Sequence, residues 1–368
     1  MSLKIGIVGL PNVGKSTLFN ALMRRMQAEA ANHPFTTIEP NIGIVDLPDE
    51  RLNQLAVIAK PDKIVPATVT FVDIAGIVKG ANRGEGLGNQ FLAHIRETDA
   101  LAIVLRCFND DSVIHVANKV DPTDDAQTVL LELILADLST LQKKLDTLGG
   151  DVRAGQKDAM IKKSLYERLY QALSNEKVAA SVTVTADEQS FLKELQLLTA
   201  KPLLYVANVA EADAAKSAEQ VIAEWNLAPI FNAAPGDLMV ISAQVEAELS
   251  QLEPTEATEY LESLGLKQPG LNRLIRAGFD LLHLATYFTA GPMEVRAWTF
   301  TKGWKAPICA GVIHNDFIKG FIRAEVIAYP DYIEYGGETG AKAAGKLRSE
   351  GKEYELQDGD VVHFRVNT

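Results

Sequence analysis

The sequence has little cysteine: Cys107 and Cys309 are the only two among 368 residues, and both lie in apolar surroundings. They show neither a metal-binding nor a redox spacing, which fits a reducing compartment. No apolar run approaches the roughly 18–20 residues that a membrane-spanning helix needs. The first residues, MSLKIGIVGL, show a strand pattern instead of a secretory signal. We therefore expect a cytoplasmic protein with no membrane contact.

The chain also lacks low-complexity tracts and internal repeats, which excludes a solenoid or a disordered linker protein. Its net charge of −12 argues against a surface that coats nucleic acid generally, although a local basic face stays compatible with it. With 47% hydrophobic and 23% charged residues, the composition is that of an ordinary globular protein. The length allows two or three domains.

The strongest motif is Gly9–Thr17 (GLPNVGKST), which has the P-loop spacing G-x-x-x-x-G-K-[ST]. It follows a buried strand pattern at Lys4–Val8 and precedes a helical pattern at Ser16–Arg25. Such a loop directs backbone N–H groups at phosphate oxygens. We expect Lys15 to contact the β- and γ-phosphates as a catalytic charge and Ser16 to ligate Mg²⁺. The predicted nucleotide contacts of this loop are Asn12, Val13, Gly14, Lys15, Ser16 and Thr17.

Two further motifs are typical of switch proteins. The strand pattern Val69–Asp73 continues into Asp73-Ile-Ala-Gly76, a D-x-x-G motif. Asp73 is expected to hold Mg²⁺ through water and the Gly76 N–H to sense the γ-phosphate. In the stretch HPFTTIEPN before it, one threonine hydroxyl should complete the Mg²⁺ shell. Thr37 is the preferred ligand by position, with Thr36 as the alternative.

Position 77 departs from the Ras-type pattern. Ras-type GTPases place a glutamine after D-x-x-G to orient the attacking water, and this chain has Ile77 there. His115 follows the strand pattern Leu101–Cys107 on a loop that can face the nucleotide, so it is the candidate water-orienting residue. The alternative is a histidine that only packs in its apolar stretch.

The base-reading motif also departs from the GTPase pattern N-K-x-D. A literal match occurs at Asn118–Asp121 (NKVD), but it lies too close to Cys107 to leave room for a helix and a further strand. A better-placed motif follows the strand pattern Pro202–Ala207: Asn208-Val209-Ala210-Glu211, with Ser242-Ala243 resembling the motif beneath the base. Glutamate in place of aspartate weakens the contact with guanine, which favours ATP over GTP. The alternative is that Glu211 is a shifted equivalent and GTP still binds.

These residues together resemble the Obg-like ATPases of the YchF type, within the Obg-related P-loop branch. The resemblance covers nearly the whole chain and is carried by segments 9–17, 32–41, 73–88, 91–99 and 208–211. It implies ATP preference despite GTPase ancestry, an apolar residue in place of the catalytic glutamine, and a functional histidine at the position of His115. The family does not usually show the asparagine-lysine pair found at 118–119. The resemblance also implies a ribosome-associated role.

The remaining chain predicts two further domains. Apolar residues recur at helical spacing over Asp125–Leu148, and Gly149-Gly150 is expected to break that helix; further helices are expected at Ala159–Leu173 and Asp187–Leu198. These form a helical insertion that either binds a partner or only packs. Short strand patterns then follow at 294–301, 321–329 and 361–366, and residues 312–326 resemble the signature of β-grasp TGS domains. The positive side chains there either face ribosomal RNA or form a solvated face balanced by acids: Lys319, Arg323, Lys342, Lys346, Arg348 and Lys352.

The sequence therefore predicts an α/β fold: a doubly wound P-loop domain (1–124 and 200–284), a helical insertion (125–199) and a C-terminal TGS β-grasp domain (285–368). The expected reaction is Mg²⁺-dependent hydrolysis of ATP, with the ribosome as partner and a monomeric state. A GTP-hydrolysing translation switch and a non-catalytic ATP sensor stay as alternatives. A small-molecule kinase explains the P-loop but not the switch motifs.

Overall fold

The computed structural model of the chain describes residues 3–29, 41–74, 87–110 and 119–367. Contacts among these residues divide the chain into two units. The first unit contains the described residues of 3–25, 41–43 and 70–274. The second unit contains those of 26–29, 44–69 and 275–367. Three of the predicted site residues, Thr37, Gly76 and His115, lie outside the described residues, as do Thr36 and Asn118.

The described residues form twelve strands, numbered in chain order. They are β1 (Lys4–Val8), β2 (Ile42–Asp46), β3 (Lys63–Val65), β4 (Thr68–Asp73), β5 (Ala100–Cys107), β6 (Leu203–Val209), β7 (Asp237–Ile241), β8 (Leu284–Ala290), β9 (Glu294–Thr301), β10 (Phe321–Ala328), β11 (Arg348–Glu350) and β12 (Asp360–Val366).

The α-helices are numbered in the same way. They are α1 (Lys15–Glu29), α2 (Glu50–Ala59), α3 (Leu87–Arg96), α4 (Pro122–Arg153), α5 (Lys157–Ser174), α6 (Gln189–Leu195), α7 (Ala218–Glu224), α8 (Ala228–Ala233), α9 (Ala243–Leu249), α10 (Pro254–Ser263), α11 (Gly270–Leu281), α12 (Ala306–Ile313), α13 (Asp316–Gly320), α14 (Tyr329–Glu334) and α15 (Glu338–Ala343). None of the helices in the described part of the chain has the length and apolar character that a membrane crossing requires.

The first sheet has the strand order β2-β4-β1-β5-β6-β7. Strand β1 pairs in parallel with β4 and β5, and β5, β6 and β7 continue the parallel pairing. Every residue of β5 and β6 is buried, as expected for central strands covered on both faces. The strand order reverses beside β1, so a ligand is expected at its carboxyl end, where the P-loop begins. The predicted doubly wound architecture is confirmed.

The helical insertion contains the long helix α4 and its neighbour α5. Their shared core includes Leu141, Leu165 and Leu169, all fully buried. The predicted break at Gly149-Gly150 is wrong, because α4 continues to Arg153. Glycine lowers helix stability by only about 1 kcal/mol per residue, and no other part of the described chain comes within 4 Å of a Cβ placed at either glycine. The turn comes instead at Gly155, whose φ of +71° suits glycine.

A buried carboxylate fixes α4 to the chain that leads into β6. Asp137 is 2% exposed, and its two oxygens accept hydrogen bonds from the backbone N–H groups of Leu198 and Thr199, both at 2.8 Å. The Thr199 hydroxyl donates a third bond at 2.7 Å. Burial raises the pKa of Asp137, while the three donors oppose that rise. The insertion is thus attached to the central sheet by a satisfied polar contact as well as by apolar packing.

The second sheet has the strand order β11-β10-β12-β8-β9-β3. Strands β8 and β9 form an antiparallel hairpin, β12 pairs in parallel with β8, and β10 runs antiparallel to β12. With α12 between β9 and β10, this is the β-grasp arrangement, as predicted. The core beneath it includes Tyr287, Phe300 and Cys309, all at most 1% exposed. The narrower identification as a TGS domain stays a prediction.

The second unit includes a segment that the predicted boundaries placed in the nucleotide domain. Strand β3 pairs in parallel with β9 and extends the β-grasp sheet by one edge strand. Helix α2, in the same segment, is anchored by Arg51, which forms an ion pair with Asp358 at 2.7 Å and lies 5.1 Å from the ring centre of Phe288. The hydroxyl of Tyr329 donates to Gln54 at 2.6 Å. Residues 44–69 are therefore structural members of the C-terminal unit.

We expect the substitution Asp137→Ala to lower the thermal unfolding midpoint of the first unit by about 5–10 °C, because it leaves buried N–H groups without an acceptor. Differential scanning calorimetry measures the change. Asp151→Ala, which removes an exposed carboxylate from the same helix, is the matched control and should shift the midpoint by less than about 1 °C. Equal shifts in the two variants would contradict the structural role of Asp137.

Candidate nucleotide site

The P-loop lies between the end of β1 and the first turn of α1. Asn12 and Gly14 have positive φ values of 65° and 92°, so the loop adopts a left-handed turn before the helix. Helix α1 begins at Lys15, and the Leu18 N–H donates to the Gly14 carbonyl at 3.0 Å. The first N–H groups of the helix have no partner within it, which makes this end suited to an anion. The side chains of Ser16 and Thr17 are exposed here.

The lysine of the P-loop and the acid of the D-x-x-G motif are in contact. The ammonium group of Lys15 forms a hydrogen-bonded ion pair with the carboxylate of Asp73, and both side chains are largely buried. The pairing of β1 with β4 places them side by side, since Ile7 is the register partner of Asp73. The structure therefore brings together two of the residues that the sequence assigns to phosphate and metal.

These residues fit a magnesium ion bound together with nucleotide. Mg²⁺ keeps several waters and takes one or two protein oxygens plus phosphate oxygens, so it needs no cage of carboxylates. The described residues contain no cluster of three or more histidine, cysteine or acidic side chains that could hold a metal alone. The exposed hydroxyl of Ser16 and the carboxylate of Asp73 are oxygen donors of the required kind. The third predicted ligand, Thr37, lies outside the described residues.

The side-chain amide of Asn208 connects three segments that are distant in the sequence. Its Nδ2 donates to the Val13 carbonyl in the P-loop at 2.9 Å, and its Oδ1 accepts from the Ala243 N–H at 2.9 Å. Asn208 is 4% exposed. A Cβ at Gly14 would lie 2.1 Å from Nδ2, so this close approach requires glycine there. Asn208 thus positions the P-loop against the S-A motif, and its amide is already engaged by protein groups.

The neighbouring positions differ in what they can offer to a base. Val209, which takes the place of the lysine in N-K-x-D, is 3% exposed, so its side chain lies in the core. The hydroxyl of Ser242 caps α9 by accepting from the Val245 N–H at 3.5 Å. The Glu211 carboxylate is half-buried and accepts a hydrogen bond from the Tyr260 hydroxyl at 2.9 Å. Glu211 is therefore the charged side chain that the 208–211 motif can offer to a base.

The literal N-K-x-D match at 118–121 includes the N-cap residue of α4. Asp121 is the N-cap of α4, where its carboxylate accepts from the Asp124 N–H at 3.2 Å. Lys119 donates to the same carboxylate at 2.8 Å. Each of these two groups lowers the pKa of Asp121, with the Lys119 bond the larger cause. A helix cap explains the acid at 121 without a nucleotide, in line with the rejection of this motif as the base site.

Two side chains near the site belong to none of the sequence motifs. Arg106 is a charged residue inside the apolar strand β5 and is 1% exposed. Its guanidinium donates to the carbonyls of Phe108 and Asp110 at 3.3 and 3.0 Å, which fixes the chain just before the segment that includes His115. Tyr260 lies on α10, some fifty residues after Glu211, and no local pattern links them.

The positive side chains of the second unit, predicted to form either an RNA-binding or a solvated face, are partly neutralised. Arg323 and Arg365 both bind Glu325, and together they lower the pKa of that carboxyl to about 2. Lys346 pairs with Asp331 at 3.1 Å. Arg348 pairs with Glu350 at 3.4 Å and with Asp360 at 3.5 Å. Among the described residues, the positive side chains of this face that form no ion pair are Lys319, Lys342 and Lys352.

Two family profiles and several known proteins match this chain. A family profile described as a 50S ribosome-binding GTPase matches residues 4–135. The C-terminal profile of the YchF-type GTPases, described as a protein of unknown function, matches residues 284–367. The "Ribosome-binding ATPase YchF" of Bacillus subtilis (strain 168) is 53% identical, with all of both chains covered. The chain belongs to the YchF family. The YchF protein of Escherichia coli O157:H7, printed under the same name, is 50% identical over all of both chains.

A solved structure of the YchF family has the same fold. The structure of the Schizosaccharomyces pombe YchF GTPase aligns with a TM-score of 0.88 at 38% sequence identity, covering 99% of this chain and 98% of that one. The resemblance to YchF-type proteins that the sequence motifs indicated is thereby confirmed, together with the fold class. The assignment of individual residues to base, phosphate and metal stays a prediction.

We expect Asn208→Ala to weaken the binding of both ATP and GTP by at least about tenfold, because it leaves the buried Val13 carbonyl and Ala243 N–H without partners. Titration with fluorescent nucleotide analogues at fixed Mg²⁺ measures the two dissociation constants. The double variant Asn118→Ala/Asp121→Ala is the control and should bind as the wild type does. Because Asp121 also caps α4, a thermal melt verifies that the double variant is folded; a folded double variant that has lost binding would show that the base is read at 118–121.

Proposed function

We propose that this chain is a Mg²⁺-dependent ATPase that binds the ribosome, in the cytoplasm, and couples its nucleotide state to translation or to a stress response. Relatives that match it over their full length at 50–53% identity are named ribosome-binding ATPases. The P-loop, the adjacent Asp73 and the Asn208 bridge are the parts that such an activity requires. The observation that carries the proposal is the base motif anchored by Asn208, because it ends in Glu211 instead of an aspartate.

Catalysis in this site is proposed to rest on positioning and charge. Lys15 binds the β- and γ-phosphates, the hydroxyls of Ser16 and Thr37 are metal ligands, and Asp73 acts through water. When bound, Mg²⁺ neutralises negative charge on the phosphates and holds them in place. The Gly76 N–H contacts the γ-phosphate.

The remaining requirement is a group that orients the attacking water, and His115 is proposed for it because Ile77 has no hydrogen-bonding group. Arg106 supports this assignment, since it fixes the backbone of residues 108 and 110 just before the segment of His115. A histidine side chain can both orient the water and accept its proton.

Selection of ATP follows from what the site offers to the base edge. In N-K-x-D sites the aspartate accepts two hydrogen bonds from guanine through both carboxylate oxygens. Here the acid is a longer glutamate, and one of its oxygens already accepts from Tyr260. A site that lacks the bidentate acceptor loses discrimination in favour of guanine. The backbone at Asn208 and Val209 is left to contact adenine.

A second candidate function is GTP hydrolysis. The solved relative from Schizosaccharomyces pombe is described as a GTPase, and the N-terminal family profile carries the same word. Glu211 retains the negative charge of the aspartate, which is the feature in this chain that favours guanine. Direct comparison of the two nucleotides separates the candidates.

We expect the purified protein to hydrolyse ATP faster than GTP, and chelation of Mg²⁺ by EDTA to abolish turnover. His115→Ala should lower kcat for ATP by at least about tenfold with unchanged ATP binding, because water orientation acts only in the transition state. Steady-state phosphate release and nucleotide titration provide the two readouts.

His314→Ala removes an exposed histidine of the second unit and is the matched control, expected to turn over at the wild-type rate. Faster hydrolysis of GTP in the wild type would contradict the ATPase proposal. Wild-type turnover in His115→Ala would contradict only the role of the histidine.

We propose that Lys319, Lys342 and Lys352, three lysines of the second unit that form no ion pair among the described residues, contact ribosomal RNA. The triple variant Lys319→Glu/Lys342→Glu/Lys352→Glu should cosediment with ribosomes at least about tenfold more weakly, and its binding should depend less on salt, since phosphate contacts release counterions. The variant Lys143→Glu/Lys144→Glu carries the same kind of change on exposed positions of α4 and tests the helical insertion as the alternative surface. Wild-type binding of the triple variant would contradict the RNA contact.

A further inference from the structure

Three side chains from three separate elements meet beside the base motif. The Tyr260 hydroxyl of α10 lies 2.9 Å from an oxygen of Glu211 and 2.6 Å from an oxygen of Glu248, at the end of α9. All three side chains are half-buried. Burial and the hydrogen bonds with the two acids raise the pKa of Tyr260, so the phenol keeps its proton. The cluster therefore consists of one donor and two carboxylates.

The number of hydrogen-bond donors in this cluster limits how the Glu211 carboxylate can be oriented. A phenol has one proton to donate, whereas an ionised carboxylate only accepts. Two carboxylates that approach one hydroxyl repel each other. Glu248 also accepts a hydrogen bond from the Gln244 side chain at 3.1 Å, so the phenol matters most for the position of Glu211. The bond to Tyr260 keeps one oxygen of Glu211 directed at α10. While this bond exists, the Glu211 carboxylate is oriented toward α10, which disfavours the orientation in which both oxygens face a single ligand.

Guanine recognition by an acid requires both oxygens. Guanine has two adjacent donors, the ring N–H and the exocyclic amine, and a bidentate acceptor matches them. Adenine has a ring nitrogen that accepts at the equivalent edge, so it gains nothing from a free carboxylate there. A tyrosine that occupies one oxygen of the acid therefore acts against guanine and is neutral for adenine. This is selection by withholding a partner from the wrong ligand.

We infer that Tyr260 is a specificity-determining positioning residue, which disfavours GTP by holding the Glu211 carboxylate against α10. The inference rests on the proposed ATPase function and on the base site at 208–211. It adds a residue from outside the motif, and it assigns the discrimination to a hydrogen bond within the protein as well as to the length of the glutamate.

The test is Tyr260→Phe, titrated with fluorescent ATP and GTP analogues at fixed Mg²⁺. The Kd for GTP should fall about tenfold, equivalent to about 1.4 kcal/mol, while the Kd for ATP changes less than about twofold. The substitution deletes one hydroxyl from a half-buried ring, so the fold is retained, and a thermal melt verifies this. General damage to the site would weaken the binding of both nucleotides, so a loss of structure would not explain tighter binding of GTP.

Two matched controls accompany this variant. Tyr329→Phe removes a hydroxyl that donates to Gln54 in the second unit and should leave the ratio of the two Kd values unchanged. Glu248→Gln retains an acceptor for Tyr260 but removes the second charge, so the bond to Glu211 and the ratio should both persist. A ratio that shifts as much in Glu248→Gln as in Tyr260→Phe would overturn the inference, because the charge of the cluster would then be responsible.

The outcomes also separate this inference from the proposed function. If the wild type prefers GTP, the ATPase proposal fails before Tyr260 is considered. The ATPase proposal stands and the role of Tyr260 is wrong in two cases, both with a wild type that prefers ATP. In the first, Tyr260→Phe keeps the wild-type ratio of the Kd for GTP to the Kd for ATP. In the second, it lowers that ratio only by raising the Kd for ATP. If the GTP affinity rises as expected, both stand.

Discussion

The nucleotide site depends on one buried amide, the side chain of Asn208. Its two hydrogen bonds hold the P-loop at Val13 and the start of α9 at Ala243 against the central strand β6. The P-loop and the 208–211 motif, which are the proposed phosphate and base sites, follow different strands, so their spacing has to be set by a group that contacts both. A short, fully buried amide does this with little conformational freedom, and the glycine at 14 lets it approach closely. The two proposed sites are thereby joined through a single side chain.

The features that could be predicted from the sequence are those with a local physical cause. The P-loop spacing, the buried strands on either side and the acid at the end of β4 each follow from a few adjacent residues, and the structure contains β1 and β9 at the predicted bounds. The rejection of the match at 118–121 rests on the length of chain that a helix and a strand need, and it stays a prediction. In contrast, Gly149-Gly150 does not end α4, because a glycine lowers the stability of a helix by only about 1 kcal/mol.

The remaining features depend on contacts between distant residues. Nothing in the sequence of residues 44–69 indicates that α2 and β3 belong with the C-terminal sheet, since their partners lie beyond residue 284. The contact of Tyr260 with Glu211 cannot be predicted from the sequence either, because the two residues lie on separate elements far apart along the chain. The basic residues of the second unit also required the structure, which shows that Glu325 and two other acids, Asp331 and Asp360, neutralise several of them.

The pairing of β3 with β9 has a consequence for the order in which the protein folds during synthesis. The two strands are separated by about 230 residues, so β3 and α2 leave the exit tunnel long before β9 exists. The N-terminal elements have to wait, with Leu52 and Leu55 of α2 still uncovered, until the last quarter of the chain has been made. The C-terminal sheet therefore cannot gain β3 as its edge strand until β9 has been synthesised, and pairing between strands so distant along a chain forms slowly in general.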